Sequence, residues 1–75
     1  MTKKEMFDTI VVEYLSYMDS WYWFEKDKSN HDDNSKEYQK DVEYAKQYHN
    51  DAHVVESIAR KLFGDVDLFE IWVNN

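Results

Sequence analysis

Residues 35–63 read SKEYQKDVEYAKQYHNDAHVVESIARKLF, a stretch that contains neither Gly nor Pro. Apolar and aromatic side chains recur in it every three or four residues, which places them on one face of an α-helix. The members of this apolar stripe are Tyr38, Val42, Ala45, Tyr48, Ala52, Val55, Ala59, Leu62 and Phe63. Gly64 follows and can adopt the left-handed backbone at which helices commonly stop. The pattern predicts one long amphipathic helix against which the rest of the chain packs.

Two features qualify this long helix. Asp41 lies near the centre of the stripe, where a carboxylate is unusual. Either it accepts a hydrogen bond from a tyrosine hydroxyl of the preceding helix or it stays hydrated, and we prefer the hydrated interpretation. The tyrosines in question are Tyr14, Tyr17 and Tyr22. Asn50 and Asp51 suit a helix start better than a helix interior, so a kink or break there is the alternative to a continuous helix.

The N-terminal third of the chain predicts another helix. Thr2 and Glu5 have the spacing of a capping box, in which side chains satisfy free backbone amides at a helix start. From Lys3 to about residue 28 the apolar side chains again share one wide face. They are Met6, Phe7, Ile10, Val11, Tyr14, Tyr17, Met18, Trp21, Tyr22 and Phe24.

Residues 29–34 read SNHDDN and have the composition of a connecting loop. Asn34 and Glu37 have the spacing of a second capping box, which would start the long helix. We expect the HDD triplet inside the loop to be solvated, with its aspartates as caps. A loop this short makes the two helices antiparallel neighbours.

Residues 66–73 read VDLFEIWV and allow two interpretations. Asp67 and Glu70 can cap a short helix over residues 67–73. A strand is the alternative, since the stretch is rich in β-branched and aromatic residues, but it would have to pair with another molecule. We prefer the helix.

Three apolar side chains of the first helix lie off its stripe. Leu15 is at the edge, and Val12 and Trp23 are on the back. Leu68 and Trp72 of the tail are expected to pack over Leu15 and Val12. Trp23 is then either covered by the tail or exposed, and an exposed Trp23 is the best candidate for a protein contact.

We therefore predict an all-α fold in one small domain over residues 1–75, an antiparallel two-helix hairpin with a short C-terminal helix. The helices span about residues 3–28, 35–63 and 67–73. The hairpin either closes by itself or dimerises into a four-helix bundle. The chain has no cysteine, hence no disulfide and no thiolate metal ligand. No apolar run is long enough for a membrane span or a signal peptide, so we expect a cytoplasmic protein without a membrane partner.

The charge balance indicates the class of partner. Sixteen acidic and nine basic residues give a formal net charge of −7. Direct binding to nucleic acid is disfavoured, because a protein must neutralise phosphates to bind it. The acidic side chains of the first helix and the loop suit a protein partner with a basic surface instead.

Motifs that would carry catalysis are not found. There is no cysteine nucleophile, no serine with a placed histidine and acid, and no Gly-rich phosphate loop. His49 and His53 stand four residues apart and could chelate a metal with Glu56. Packing at the edge of the apolar stripe is the preferred interpretation of these histidines. We expect no catalytic residue, no metal and no cofactor.

The predicted function is stoichiometric protein binding. The chain would be a small acidic regulator or inhibitor, of the kind encoded by phages and mobile elements, acting on a basic and preferably nucleic-acid-binding protein by nucleic-acid mimicry. The alternative is a self-assembling structural module that forms a homodimeric helical bundle. The predicted partner-binding residues are Glu5, Asp8, Val12, Glu13, Asp19, Trp23, Glu25, Asp27, Asp32 and Asp33.

Overall fold

The computed structural model of the chain describes residues 2–75. Over these residues every regular element is helical and there is no strand. The first helix, α1, spans Lys3–Asp27 and is followed by a single 3-10 turn over Lys28–Asn30. The second, α2, spans Lys36–Phe63, and the short α3 spans Leu68–Val73. The predicted all-α class, the two long helices and the helical tail are confirmed.

Short polar side chains start α1 and α3 as predicted. The Thr2 hydroxyl oxygen accepts a hydrogen bond from the Glu5 amide at 3.1 Å, and the hydroxyl donates to Glu5 Oε1 at 3.1 Å. In α3, Asp67 Oδ1 accepts from the Glu70 amide at 3.0 Å. Because the first amides of a helix have no backbone partner, these side chains decide where each helix begins.

The start of α2 differs from the prediction by one residue. Ser35 Oγ, and not the Asn34 side chain, accepts the hydrogen bond from the Tyr38 amide, at 3.1 Å. The backbone amide of Asn34 is bound to Asp32 Oδ1 at 3.0 Å, which makes Asn34 part of a turn before the helix. The predicted capping box of Asn34 and Glu37 is therefore wrong.

Once started, α2 continues through Asn50 and Asp51 without a break. It ends at Gly64, whose φ of 84° is positive as predicted. The ψ of −149° lies outside the left-handed helical region, in a part of backbone space that only glycine enters readily. The Gly64 amide donates to the Arg60 carbonyl at 3.0 Å, which satisfies a carbonyl of the last turn.

The core lies between α1 and α2 and is completed by α3. Its buried hydrophobic residues are Tyr14, Met18, Ala45, Ala52, Ala59 and Leu68. The three alanines recur every seven residues along α2 and allow the large side chains of α1 to approach its backbone closely. At the ends of the hairpin aromatic rings fill the wider space, as where Phe7 meets Phe63 edge to face with centroids 5.2 Å apart.

The tail returns along one side of α1. Leu68 is fully buried, and Trp72 donates its indole N–H to Asp19 Oδ1 at 2.9 Å. Leu15 is half-buried against the same core, but Val12 stays exposed. The prediction that the tail covers Val12 is therefore wrong. α3 lies on the side of α1 that carries Leu15. Val12 projects about 60° away from Leu15 around the helix axis, beyond the reach of α3.

The three helices form an elongated molecule with extents of 47 × 20 × 20 Å. In the part of the chain described, no helix combines the length and the apolar character that crossing a membrane requires.

Candidate functional site

One side of α1 faces away from α2 and meets α3 only at its edge, where Asp19 accepts the Trp72 indole N–H. At about 100° per residue, five of the predicted partner-binding residues lie within about 60° of one another on this side. They are Glu5, Asp8, Val12, Asp19 and Trp23, and all five are exposed. We refer to these residues as the outer face of α1.

The carboxylates of the outer face have no counter-charge within the described chain. Among the described residues, Glu5, Asp8 and Asp19 form no ion pair with a lysine, arginine or histidine. Asp19 accepts the Trp72 indole N–H, and this hydrogen bond holds its side chain in place without neutralising it. The outer face therefore combines uncompensated negative charge with an exposed indole.

Trp23 stands beside an open groove at the C-terminal end of α1. The groove has a volume of about 480 Å³ and is lined by Asp19, Tyr22, Trp23, Lys26, Asp27, Ser29 and Asn30. Trp23 itself is 59% exposed, and its ring meets Phe24 edge to face at 4.9 Å between centroids. Lys26 Nζ lies 5.2 Å from the centre of the Tyr22 ring, so two residues that line the groove form a cation–π contact with each other.

The other predicted partner-binding residues lie elsewhere. Glu13 is exposed on a different side of α1, and Asp32 and Asp33 are exposed in the connection. Glu25 is half-buried and pairs with Lys28 Nζ at 2.9 Å. Asp27, the remaining one of the ten predicted partner-binding residues, is also half-buried and lies toward α2. The ten residues thus do not form one continuous surface.

Asp27 belongs to a second cluster that joins three segments of the chain. It is the last residue of α1, His31 follows the 3-10 turn, and Asp41 lies in the second turn of α2. His31 Nε2 is 3.4 Å from Asp27 Oδ2 and 3.7 Å from Asp41 Oδ2. One donor atom from each of the three residues lies within 4.8 Å of the others.

The environment of Asp41 is unusual for a carboxylate. It is only 6% exposed, and its Oδ2 has no hydrogen-bond partner in the described chain. Burial raises the pKa of Asp41, the nearby Asp27 carboxylate raises it further, and His31 opposes the rise. Asp27 has a lowered pKa, first because of the side-chain interaction with Asp41 and then because of those with His31 and Asn30, which together outweigh the opposing effect of burial. The pKa values of the two carboxyl groups are therefore shifted in opposite directions.

This cluster corrects two predictions. Asp41 is neither hydrated nor bonded to a tyrosine, because it is buried and faces His31. His31 is half-buried, so of the HDD triplet only Asp32 and Asp33 are solvated as predicted. Two features of the sequence could have indicated this cluster. Asp27 and His31 are four residues apart, and Asp41 is a carboxylate in an apolar stripe, where it needs a polar partner.

His49 and His53 lie along one edge of α2. Leu62, an exposed member of its apolar stripe, lies along the other edge. Their rings are in contact, with centroids 5.1 Å apart, and His49 also packs against Trp21 at 5.5 Å. With Glu56 they line a cavity of about 190 Å³ beneath Phe69. Over residues 2–75 three metal-ligating side chains come close enough to share an ion at Asp27, His31 and Asp41. The histidine pair and Glu56 do not form such a group.

Comparison of the chain with protein-family models, with curated proteins and with solved structures finds no match in any of the three. The side chains described above are therefore the basis for assigning a function.

Proposed function

We propose that this protein is a small acidic regulator that binds stoichiometrically to a basic partner protein through the outer face of α1. The observation that supports it is the exposure of Trp23 next to uncompensated carboxylates. A tryptophan exposes a large apolar surface that water solvates poorly. Interface tryptophans are frequent hot spots, and truncating one typically costs about 2 kcal/mol or more of binding free energy.

The charge of the outer face determines the class of partner. Glu5, Asp8 and Asp19 stand on a rigid helix, so their spacing is preserved when a partner approaches. Such an array attracts a basic surface, accelerates association and weakens as salt screens the charges. A nucleic-acid-binding protein is the basic partner that we favour, because its phosphate-binding groove accepts a row of negative charges.

Trp23→Ala and Asp8→Asn test this proposal against Val54→Ala as the matched control. Val54 is exposed on α2, away from the outer face, so its truncation perturbs neither charge nor groove. Each untagged protein is immobilised and used to capture proteins from a lysate, with quantification by mass spectrometry. We expect Trp23→Ala to lower retention about 30-fold, the equivalent of about 2 kcal/mol, and Asp8→Asn to lower it less.

Salt and competing duplex DNA make the experiment specific. Raising the salt from about 0.1 M to about 1 M shortens the Debye length from about 10 Å to about 3 Å and is expected to release the partner. Duplex DNA in excess should displace a partner that uses its nucleic-acid groove. The proposal is refuted if captured proteins are retained equally by Trp23→Ala and by Val54→Ala, or if their retention is insensitive to salt.

An exposed apolar strip on α2 supports a second candidate function, self-assembly into a homodimeric helical bundle. Tyr44, Ile58 and Leu62 are each nearly half exposed and lie within about 40° of one another at about 100° per residue. They occupy the side of α2 away from His49 and His53. Association of two hairpins through these strips would remove their apolar surface from water.

Charge substitutions on the two surfaces distinguish the candidates. Ile58→Glu places a carboxylate in the α2 strip and is expected to abolish a dimer, whereas Val12→Glu alters only the outer face of α1 and should leave it intact. Sedimentation equilibrium on both variants and the wild type gives the answer. A wild-type monomer at the highest concentration studied would eliminate self-assembly, and the regulator proposal would be unaffected.

A further inference from the structure

Asp41 is the charged side chain that the described part of the structure buries, and its burial calls for a counter-charge. A buried carboxylate without a partner is strongly unfavourable. The free-energy cost of burying the Asp41 charge is greater here, because the Asp27 carboxylate lies close to it. Asp41 Oδ2 points into the cluster without a hydrogen bond among residues 2–75.

The His31 imidazole makes one long hydrogen bond to this pair, with Asp27 Oδ2 at 3.4 Å, and none with Asp41. Charge-assisted N–H···O hydrogen bonds are about 2.7–2.9 Å long. His31 Nε2 stands 3.4 Å from Asp27 Oδ2 and 3.7 Å from Asp41 Oδ2, which is longer than that in both cases. The ring is thus held between the two carboxylates and at a distance from each.

These separations match the spacing of ligand atoms around a metal ion. Zinc is bound by imidazole nitrogen and carboxylate oxygen at about 2.0–2.2 Å, and tetrahedral ligands at that radius are about 3.3–3.6 Å apart. The two measured distances from His31 Nε2 are 3.4 and 3.7 Å. Two of the three separations are therefore close to those of a tetrahedral zinc site, and the third, between Asp27 and Asp41, is within 4.8 Å.

We propose that Asp27, His31 and Asp41 form a divalent metal site, with Zn²⁺ as the ion that suits one imidazole nitrogen and two carboxylate oxygens. Calcium and magnesium prefer sites made of oxygen alone. The chain has no cysteine that would select a softer ion. Three protein ligands leave a fourth tetrahedral position for water or for a side chain of a partner.

The electrostatic surroundings of the cluster favour a cation. Asp27 is at the C-terminus of α1, where the helix dipole contributes further negative potential. The nearby amines are engaged elsewhere: Lys28 pairs with Glu25, and Lys26 lies over the Tyr22 ring. In the described chain no lysine or arginine forms an ion pair with Asp27 or Asp41.

A bound ion would connect the end of α1, the turn and the second turn of α2. It would hold the hairpin connection in one geometry and stabilise the folded state, because the unfolded chain does not keep the three ligands together. Asp27 and His31 are each about one-third exposed, so the ion exchanges with solvent. The site lies beside the outer face of α1 and shares Asp27 with the groove at Trp23, but it includes none of the five residues of that face.

The test measures the response of folding stability to metal. Untagged protein is stripped with a chelator, and its urea unfolding is followed with no metal, with ZnCl₂, with MgCl₂ and with CaCl₂. At a free zinc concentration 100 times the dissociation constant, we expect the unfolding equilibrium constant to fall by about 100-fold. Magnesium and calcium should have little effect. Cobalt(II) should give the visible absorption bands of tetrahedral coordination.

Two ligand variants and two controls make the result decisive. We expect His31→Gln and Asp41→Asn to lose the zinc response, and His53→Gln and Asp33→Asn to keep it. Asp41→Asn should also be at least as stable as the wild type without metal, because it removes a buried charge. Loss of the zinc response in this variant therefore cannot be attributed to misfolding.

Several results would overturn the metal site. A wild-type protein that does not respond to zinc excludes it, and so does a response that survives in Asp41→Asn. A response lost in His53→Gln but kept in His31→Gln would place the metal at the histidine pair of α2. An equal response to calcium would indicate general attraction of cations to an acidic surface.

Discussion

Replacing Leu68 with Ala removes the side chain that anchors α3 to the two long helices. Leu68 is 0% exposed and packs in the core cluster with Tyr14 and Met18. Truncating a buried leucine to alanine costs about 2–5 kcal/mol of unfolding free energy. Because α3 has only six residues and can detach rather than leave a cavity, we expect the lower part of this range, about 2–4 kcal/mol.

A loss of this size is large for the molecule. A chain of 75 residues has a total stability of about 4–11 kcal/mol at about 0.05–0.15 kcal/mol per residue. At about 4–8 °C per kcal/mol for a domain of this size, the melting temperature should fall by about 8–32 °C. Urea denaturation followed by far-UV circular dichroism measures the free energy directly, and thermal denaturation provides the second measurement.

Val73→Ala is the matched control, since Val73 lies on the same helix and is exposed. We expect it to change the unfolding free energy by less than about 0.5 kcal/mol, as surface substitutions usually do. Near-UV circular dichroism reports whether Trp72 keeps its packing against Trp21. A Leu68→Ala loss below about 1 kcal/mol, or equal losses in the two variants, would refute the inference that α3 is anchored through Leu68.

Three further predictions concern single side chains. Gly64→Ala should lower the free energy of unfolding by about 1–3 kcal/mol in urea denaturation, because the Gly64 backbone conformation is nearly restricted to glycine. An unchanged free energy would show that the end of α2 relaxes to accept alanine. Ser35→Ala should cost about 0.5–2 kcal/mol and Asn34→Ala much less, and the reverse order would restore Asn34 as the cap of α2. Burial raises the pKa of Tyr14, so as the pH rises above about 10 the unfolded chain loses its proton first and folding stability declines. Tyr14→Phe should lessen this alkaline decline and the exposed Tyr44→Phe should not, and equal profiles for both variants would contradict the assigned cause.

Local patterns account for most of the fold. The apolar stripes of α1 and α2 predict two amphipathic helices because a helix repeats every 3.6 residues or so, whatever its surroundings. Thr2 and Asp67 start their helices by bonding to amides three residues away, and Gly64 ends α2 through its own backbone freedom. These interactions are short in sequence, so they can be recognised without knowledge of the tertiary structure.

The candidate sites are less accessible from the sequence. Half of the predicted partner-binding residues share one exposed face, because helical spacing alone places them there. Asp27 and Glu25 belong to the same helix by sequence, but the structure turns one toward His31 and the other toward Lys28. The surroundings of the last residues of a helix depend on the conformation of the loop that follows. Helical periodicity does not predict that conformation.

The sequence by itself determined the helical class, the length of the helices and the caps of α1 and α3. It left open whether the tail covers Trp23, which the structure shows to be exposed. The tertiary structure decided what surrounds Asp41 and which side of α1 the tail covers. The physical reason is range: helix periodicity and caps act between residues three or four apart. Asp41 meets Asp27 and His31 only because the connection between α1 and α2 brings the chain back, so that groups up to fourteen residues apart in sequence share one small volume.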